Sequence, residues 1–243
     1  MATYACSDLH SQTLLYKKIK AFLNPEDKVY FLGDAADRGQ KGWELIKTIY
    51  NDPQFIYLKG NHEDMLVQAG REYYQNDERI GKWGRILFKN GGYETFNDWL
   101  SERQDFGLEW LKLLDKLPEE DIYENELGFV IHLSHAGGTP MQNEEGNWVF
   151  SDDLIWDRSH FTDIWPIGAG NLICVHGHTP NCYVHEELHP EVEDANIEIG
   201  AYWYCNNHKI CLDCAAFATD MTVLLNLDTF DEHIFEIYED EKQ

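Results

Sequence analysis

Five segments of this 243-residue chain carry side chains able to ligate a metal: Asp8 with His10, Asp34, Asn61, His135 and His178. Carboxylate, amide oxygen and imidazole without a thiolate form a donor set that suits manganese, iron, zinc or a similar hexacoordinate ion better than a closed structural zinc site. Singly, each is ordinary. An Asp after a strand commonly caps a turn, and a lone His is commonly a surface or satisfied core residue. Five in series, each after an apolar run, are more than turn chemistry requires.

Such donors need a scaffold that brings distant segments to one edge. Residues 3 to 6 run into Ser7-Asp8-Leu9-His10, residues 28 to 32 into Gly33-Asp34, and residues 54 to 58 into Gly60-Asn61-His62-Glu63. Each is followed by apolar residues at helical spacing, such as Leu14, Leu15, Ile19 and Phe22, or Trp43, Leu45, Ile46, Ile49 and Tyr50. Repeated strand, polar loop and helix predict an α/β sheet with its chemistry at the strand C-terminal ends. Residues 64 to 118 read as helical, with Trp83, Trp99 and Trp110 as packing residues. Further strands are expected at 127 to 133, leading to His135, and at 171 to 175, leading to His176-Gly177-His178-Thr179-Pro180. Others are expected at 182 to 186, 197 to 204, 209 to 213, 221 to 227 and 233 to 238, with a solvated tail after them. The expectation is one domain over 1 to 243: a two-sheet αββα sandwich with helices outside.

Charge bounds the partners. Lys and Arg number 19 against 44 Asp and Glu, a net −25. That deficit argues against a nucleic-acid backbone or an anionic membrane as partner, since both need a basic stripe. A bound metal can still draw a small anion. No secretory signal or membrane-length apolar run is visible, so the expected location is cytoplasmic. The six cysteines are then expected as thiols. A zinc clip from Cys205, His208, Cys211 and Cys214 is weighed against a plain strand through Ile210 and Leu212, and the strand is preferred.

Asp8-Leu9-His10, Gly33-Asp34-Ala35-Ala36-Asp37-Arg38-Gly39, Gly60-Asn61-His62-Glu63, His135-Ala136-Gly137 and Gly177-His178-Thr179-Pro180 stand in an order that resembles the calcineurin-like metallophosphoesterases. Asp37-Arg38-Gly39, Glu63, Asn90-Gly91-Gly92 with Thr95, and Leu154-Ile155-Trp156-Asp157-Arg158 resemble the phosphoprotein phosphatase branch, in particular bacterial Ser/Thr protein phosphatases. Pro180, where nucleases of the superfamily carry a second His, agrees with that branch. The resemblance implies two divalent metal ions, with manganese first among Mn, Fe, Zn, Ni and Co. Asp8, His10 and Asp34 would hold one, and Asp34, Asn61, His135 and His178 the other, with Asp34 bridging. Two dications this close can share a hydroxide and clamp the phosphoryl oxygens for in-line attack.

The resemblance further implies His62 as general acid oriented by Asp37, and Arg38 and Arg158 as grips on the phosphate. His176 is expected to orient a ligand or simply to end a strand. Ser7 and Ser11 replace the glycines usual in the first block, Lys59 stands where Arg is common, and Asp213-Cys-Ala-Ala where Asp-Thr-Gly-Ala is common. The implied activity is hydrolysis of a phosphate monoester on a phosphorylated protein or small molecule. The enzymatic rival is a dinucleoside polyphosphate (diadenosine tetraphosphate-type) hydrolase, and the non-enzymatic rival a silent binding module of the same fold.

Overall fold

The computed structural model describes residues 1–150, 153–190 and 199–241. Its first half repeats one unit three times. Strand β1 (Thr3–Cys6) precedes helix α1 (Thr13–Phe22), β2 (Lys28–Phe31) precedes α2 (Gly42–Asn51), and β3 (Phe55–Tyr57) precedes α3 (Asn61–Gln75). The three strands are mutually parallel, so their C-terminal ends share one edge. Strands β11 (Met221–Asn226) and β12 (Glu232–Glu236) extend this sheet antiparallel, in the order β12-β11-β1-β2-β3.

The second sheet repeats the plan. Its parallel centre is β5 (Val130–Ser134), β8 (Leu172–His176) and β10 (Lys209–Cys211), flanked antiparallel by β4 (Glu120–Glu124) and β9 (Tyr202–Tyr204). Alternation along the strands separates two apolar layers. Ala5, Tyr30, Leu32, Ile131, Leu133, Ile173, Val175, Ile210, Val223 and Leu225 fill the space between the sheets. Tyr4, Cys6, Val29, Phe31, Phe55 and Tyr57 face the helices on the other side of the first sheet.

The stretch from 64 to 118 continues α3 and adds α4 (Lys82–Lys89), α5 (Tyr93–Ser101) and α6 (Gln104–Asp115). Trp99 and Trp110 are buried in the same cluster as α1 and α2, and Trp83 packs half-buried at its margin. These helices are the outer layer of the first sheet. No helix of the described residues is long and apolar enough to cross a membrane.

Several strand expectations are corrected. Residues 182 to 186 lie in helix α7 (Asn181–Leu188), not a strand. Pro180 stands at its N-cap, where a missing N–H costs nothing, and of the residues Tyr183 and Val184 that mimicked a strand only Val184 is buried. Of the expected strand 197 to 204, residues 202 to 204 form β9, and residues 197 and 198 lie outside the described residues. Strand β4, with exposed Glu120 and Glu124 and Ile122 on an edge, and the hairpin β6 (Met141–Gln142) and β7 (Trp148–Val149) were not foreseen, because charge masks an edge strand's pattern. Cys211 lies in strand β10 and its Sγ donates to the carbonyl of Thr179, and no described ligand cluster forms with Cys205, His208 and Cys214.

Candidate metal centre

Every donor singled out in the sequence follows a strand of a parallel centre or, for Asn61, begins the helix after it. Asp8 follows β1, Asp34 follows β2, Asn61 opens α3, His135 follows β5 and His178 follows β8, so both sheets contribute to one edge. Except at Asn61 and His135, turning these side chains inward requires unusual backbone. Asp8 (φ 54°), His10 (41°), Asp34 (61°), Asp37 (70°), Arg38 (59°) and His178 (68°) all occupy the left-handed region. Non-glycine residues there carry strain that is held only where the surroundings over-determine it, commonly at functional sites.

The surroundings are visible. Glu63, wholly buried, accepts from the backbone N–H groups of Asp34 (2.9 Å), Ala35 (3.0 Å) and Gly60 (2.9 Å) and from the Tyr57 hydroxyl (2.8 Å). It ties the β2 loop to the start of α3. Ser7 Oγ donates to Asp8 Oδ2 at 2.5 Å and Ser11 Oγ to the Asp37 carbonyl at 2.9 Å. The two serines that replace glycine thus brace a candidate ligand and the loop that holds Asp37. A Cβ on Gly60 would overlap Asp34 Oδ1, and one on Gly177 would overlap Ser7 Oγ and Asp8 Oδ2, so each glycine permits a carboxylate's approach.

The donor atoms converge. His10 Nδ1–H donates to the Ala36 carbonyl (2.8 Å), which turns the Nε2 lone pair toward Asp8 Oδ1 and Asp34 Oδ2, each 3.8 Å away. Neither Asp8 Oδ1 nor His10 Nε2 has a hydrogen-bond partner, although both are buried. On the other side, His135 Nδ1–H donates to the Leu32 carbonyl (2.7 Å), leaving Nε2 3.0 Å from Asn61 Oδ1 and 3.4 Å from Asp34 Oδ1. His178 Nδ1 lies 2.9 Å from the same amide oxygen. The two oxygens of Asp34 therefore face two separate donor groups: Asp8, Asp34 and His135 form one close cluster, and His10, Asp34 and His62 another.

Electrostatics supports the same fit. Burial opposes the charge on Asp34, yet His135, His62 and His10 outweigh it and hold its carboxyl well below the usual range. Burial pulls His135 down, but Asp34 and Asp8 raise it to about 9, so at neutral pH a proton sits where a cation would replace it. Burial, with His62 next to it, pushes His10 well below its ordinary value and leaves the lone pair free. Orphaned buried acceptors, histidines with their lone pairs aimed by backbone carbonyls, and a carboxylate between two groups fit a pair of divalent cations.

Beside this cluster, His62 Nδ1 is 2.6 Å from Asp37 Oδ2, both about 1% exposed, and its Nε2 points back toward Asp34 Oδ2 at 3.7 Å. Burial lowers the proton affinity of His62, but Asp34 and Asp37 reverse this and leave its pKa raised. Arg38 Nη2 lies 3.4 Å from His62 Nε2, and the guanidinium sits 4.5 Å over the Phe217 ring. Arg158 Nε donates to His178 Nε2 at 3.0 Å, which brings its guanidinium to the same cleft.

His176 stands apart: it ends β8, and its ring meets Tyr204 Oη (2.8 Å) and the Gly177 carbonyl (3.0 Å) rather than the donor cluster. Lys59 turns away to Glu119. Sequence reasoning missed Phe217, which packs edge-on against His10, and the bracing roles of Ser7 and Ser11. Phe217 lies in α8 (Ala216–Thr219), four residues after Asp213, and nothing in its spacing pointed to the site.

The family model for calcineurin-like phosphoesterases matches residues 1–182. The chain belongs to this family. No curated protein matches it in sequence. Among solved structures, a protein assigned as a diadenosine tetraphosphatase is 12% identical, with a TM-score of 0.58 over 98% of this chain and 94% of the other. A Saccharomyces cerevisiae serine/threonine phosphatase is 14% identical, TM-score 0.59, over 98% and 81%. A cold-active protein-tyrosine phosphatase of a psychrophilic Shewanella is 17% identical, TM-score 0.54, over 96% and 76%. These likenesses establish a shared fold. This calcineurin-like phosphoesterase has two sheets flanked by helices and buried Asp and His clusters able to hold metals.

Proposed function

We propose that the protein hydrolyses phosphate monoesters, with phosphoserine or phosphothreonine proteins as the substrate class, at a centre built from both sheets. Asp8, His10 and Asp34 would hold one divalent ion, and Asp34, Asn61, His135 and His178 a second. Such a pair supplies a nucleophile at neutral pH and charge stabilisation for in-line displacement. The chain's own groups supply the rest. Arg38 and Arg158 grip the phosphate oxygens, for which a planar guanidinium is suited. His62, whose charged form Asp37 supports through Nδ1, donates from Nε2 to the departing alkoxide. Asp37 holds the ring through Nδ1 and favours its charged form.

The observation that carries this reading is the His62–Asp37 pair itself. Grouping His62 with His10 and Asp34 by proximity also admits it as a ligand. Its Nδ1 is engaged by Asp37, however, and its Nε2 stands 3.4 Å from the cation of Arg38, a poor place for a second cation and a good one for a proton donor facing a phosphate. The net charge of −25 favours a protein bearing one phosphate over a polyphosphate at long range.

The test is one panel with added Mn²⁺: phosphoserine, phosphothreonine and phosphotyrosine peptides, p-nitrophenyl phosphate and diadenosine tetraphosphate. Phosphoserine or phosphothreonine turnover that is lost with chelator supports the reading. A preference of several hundredfold for the dinucleotide replaces the substrate class. His62→Ala that retains Mn²⁺ binding and loses about 10²- to 10⁴-fold in phosphopeptide turnover supports a proton donor, and loss of Mn²⁺ binding identifies a ligand.

A further inference from the structure

A lysine is wholly buried on the outer face of the second sheet. Lys209, 0% exposed, lies in β10 beside Ile210, whose side chain points to the inter-sheet core, so Lys209 points the other way. No carboxylate lies within 4 Å of its ammonium among the described residues. Instead Nζ donates to the His160 carbonyl (2.5 Å) and Thr139 Oγ1 (2.7 Å) and lies 3.3 Å from His160 Nδ1. Thr139 Oγ1 passes on a hydrogen bond to Asp163 Oδ2 (2.9 Å), and the ammonium sits 5.8 Å over the Tyr204 ring. A buried cation so placed is expensive, and an apolar residue of the same length would avoid that cost.

The arrangement has a consequence for Arg158. An ammonium has no acceptor, so Nδ1 of His160 must accept and Nε2 must carry the hydrogen. That Nε2–H donates to the Ala136 carbonyl at 2.7 Å. Burial and Lys209 together hold His160 neutral, its pKa lowered to about 4. The N–H of Ala136 in turn donates to the Leu154 carbonyl at 2.7 Å. Ala136, next to His135, thus grips the segment carrying Arg158 on both sides of it, at 154 and at 160. Lys209 locks the second grip.

We infer that Lys209 is a positioning residue: through His160 and Ala136 it sets where Arg158 meets the phosphate. This rests on the proposed role of Arg158. The variants are Lys209→Met, Arg158→Ala and the double variant, with His160→Phe, which keeps the ring and loses both its nitrogen bonds, should Lys209→Met not fold. The readouts, on Mn²⁺-supplemented protein, are the inhibition constant of inorganic phosphate and the separate kcat and KM for a phosphoserine peptide. Thermal unfolding and amide exchange are measured without metal.

Lys209→Met takes the ammonium donor from the buried His160 carbonyl and Nδ1, so it should fold with a lower melting temperature and show faster amide exchange around 154 to 163. Its phosphate inhibition constant and KM should rise about tenfold, with kcat changed less. Arg158→Ala should do the same, and the double variant should match Arg158→Ala alone, because the lysine acts through that arginine. If Arg158→Ala is impaired while Lys209→Met, or His160→Phe in its place, stays within twofold of wild type, the inference fails alone. It also fails if the two effects multiply. If Arg158→Ala binds phosphate as wild type does, the phosphate-grip reading falls and the inference with it.

Discussion

Replacing Asp37 by Asn isolates the charge that orients His62. The contact is 2.6 Å between atoms that are both about 1% exposed, so water cannot take its place. Asn retains an oxygen for Nδ1–H and removes only the negative charge. A hydrogen bond to a charged partner contributes about 1.5–3 kcal/mol and a neutral one about 1, so the imidazolium loses about 0.5–2 kcal/mol of support. At 1.36 kcal/mol per decade this lowers the proton affinity of His62 and, at a pH above its pKa, where the protonated fraction limits the rate, slows a step that needs its proton by about two- to thirtyfold. The assay compares kcat for a phosphoserine peptide, whose alkoxide needs the proton, with p-nitrophenyl phosphate, whose phenolate leaves without it. The alkyl substrate should slow by that factor and the aryl substrate by less than about twofold. Equal losses on both would refute proton donation and leave His62 as a structural or ligating residue.

Three other perturbations follow from particular atoms. Gly177→Ala drives a Cβ into Ser7 Oγ and Asp8 Oδ2, so it should weaken Mn²⁺ binding. At a Mn²⁺ concentration of about 100 times the wild-type Kd, a tenfold weakening cuts the metal's stabilisation from about 2.7 to about 1.4 kcal/mol, read as a smaller rise in Tm over chelated protein. Ala215 stands at φ 54°, so Ala215→Gly should relieve strain and add up to about 1 kcal/mol in urea unfolding, and a loss of stability would contradict this. His160 is buried neutral with its pKa lowered to about 4 from an ordinary 6.5. The unfolded chain therefore binds more protons between those values, and stability is full above pH 6.5 and falls as pH drops toward 4, by about 3 kcal/mol through this residue. His160→Phe should flatten that part of the stability profile relative to wild type, and an unchanged slope would rule His160 out as its source.

The family, the α/β alternation and the strand-end donors were legible because each rests on local chemistry. Asp8, Asp34, Asn61, His135 and His178 each lie next to the strand that carries them, within a block of a few residues. Strand periodicity failed where local pattern is ambiguous: 182 to 186 has strand-like residues, but a proline-capped start made it helix α7, and charged β4 hid at an edge.

What residue types and their order determine here is which groups are available for chemistry. Which atoms of those groups face one another was decided by tertiary structure. Left-handed backbone at Asp8, His10, Asp34 and His178, held by Glu63, Ser7 and backbone carbonyls, aims lone pairs across the gap between two sheets. The same holds for Phe217 beneath Arg38 and for Lys209 behind Arg158: their contacts join residues 179 and 49 positions apart, or pass through intermediaries. The physical reason is that hydrogen bonds and desolvation act over a few ångströms of space, and sequence separation carries no record of which segments the packing of two sheets brings within that reach.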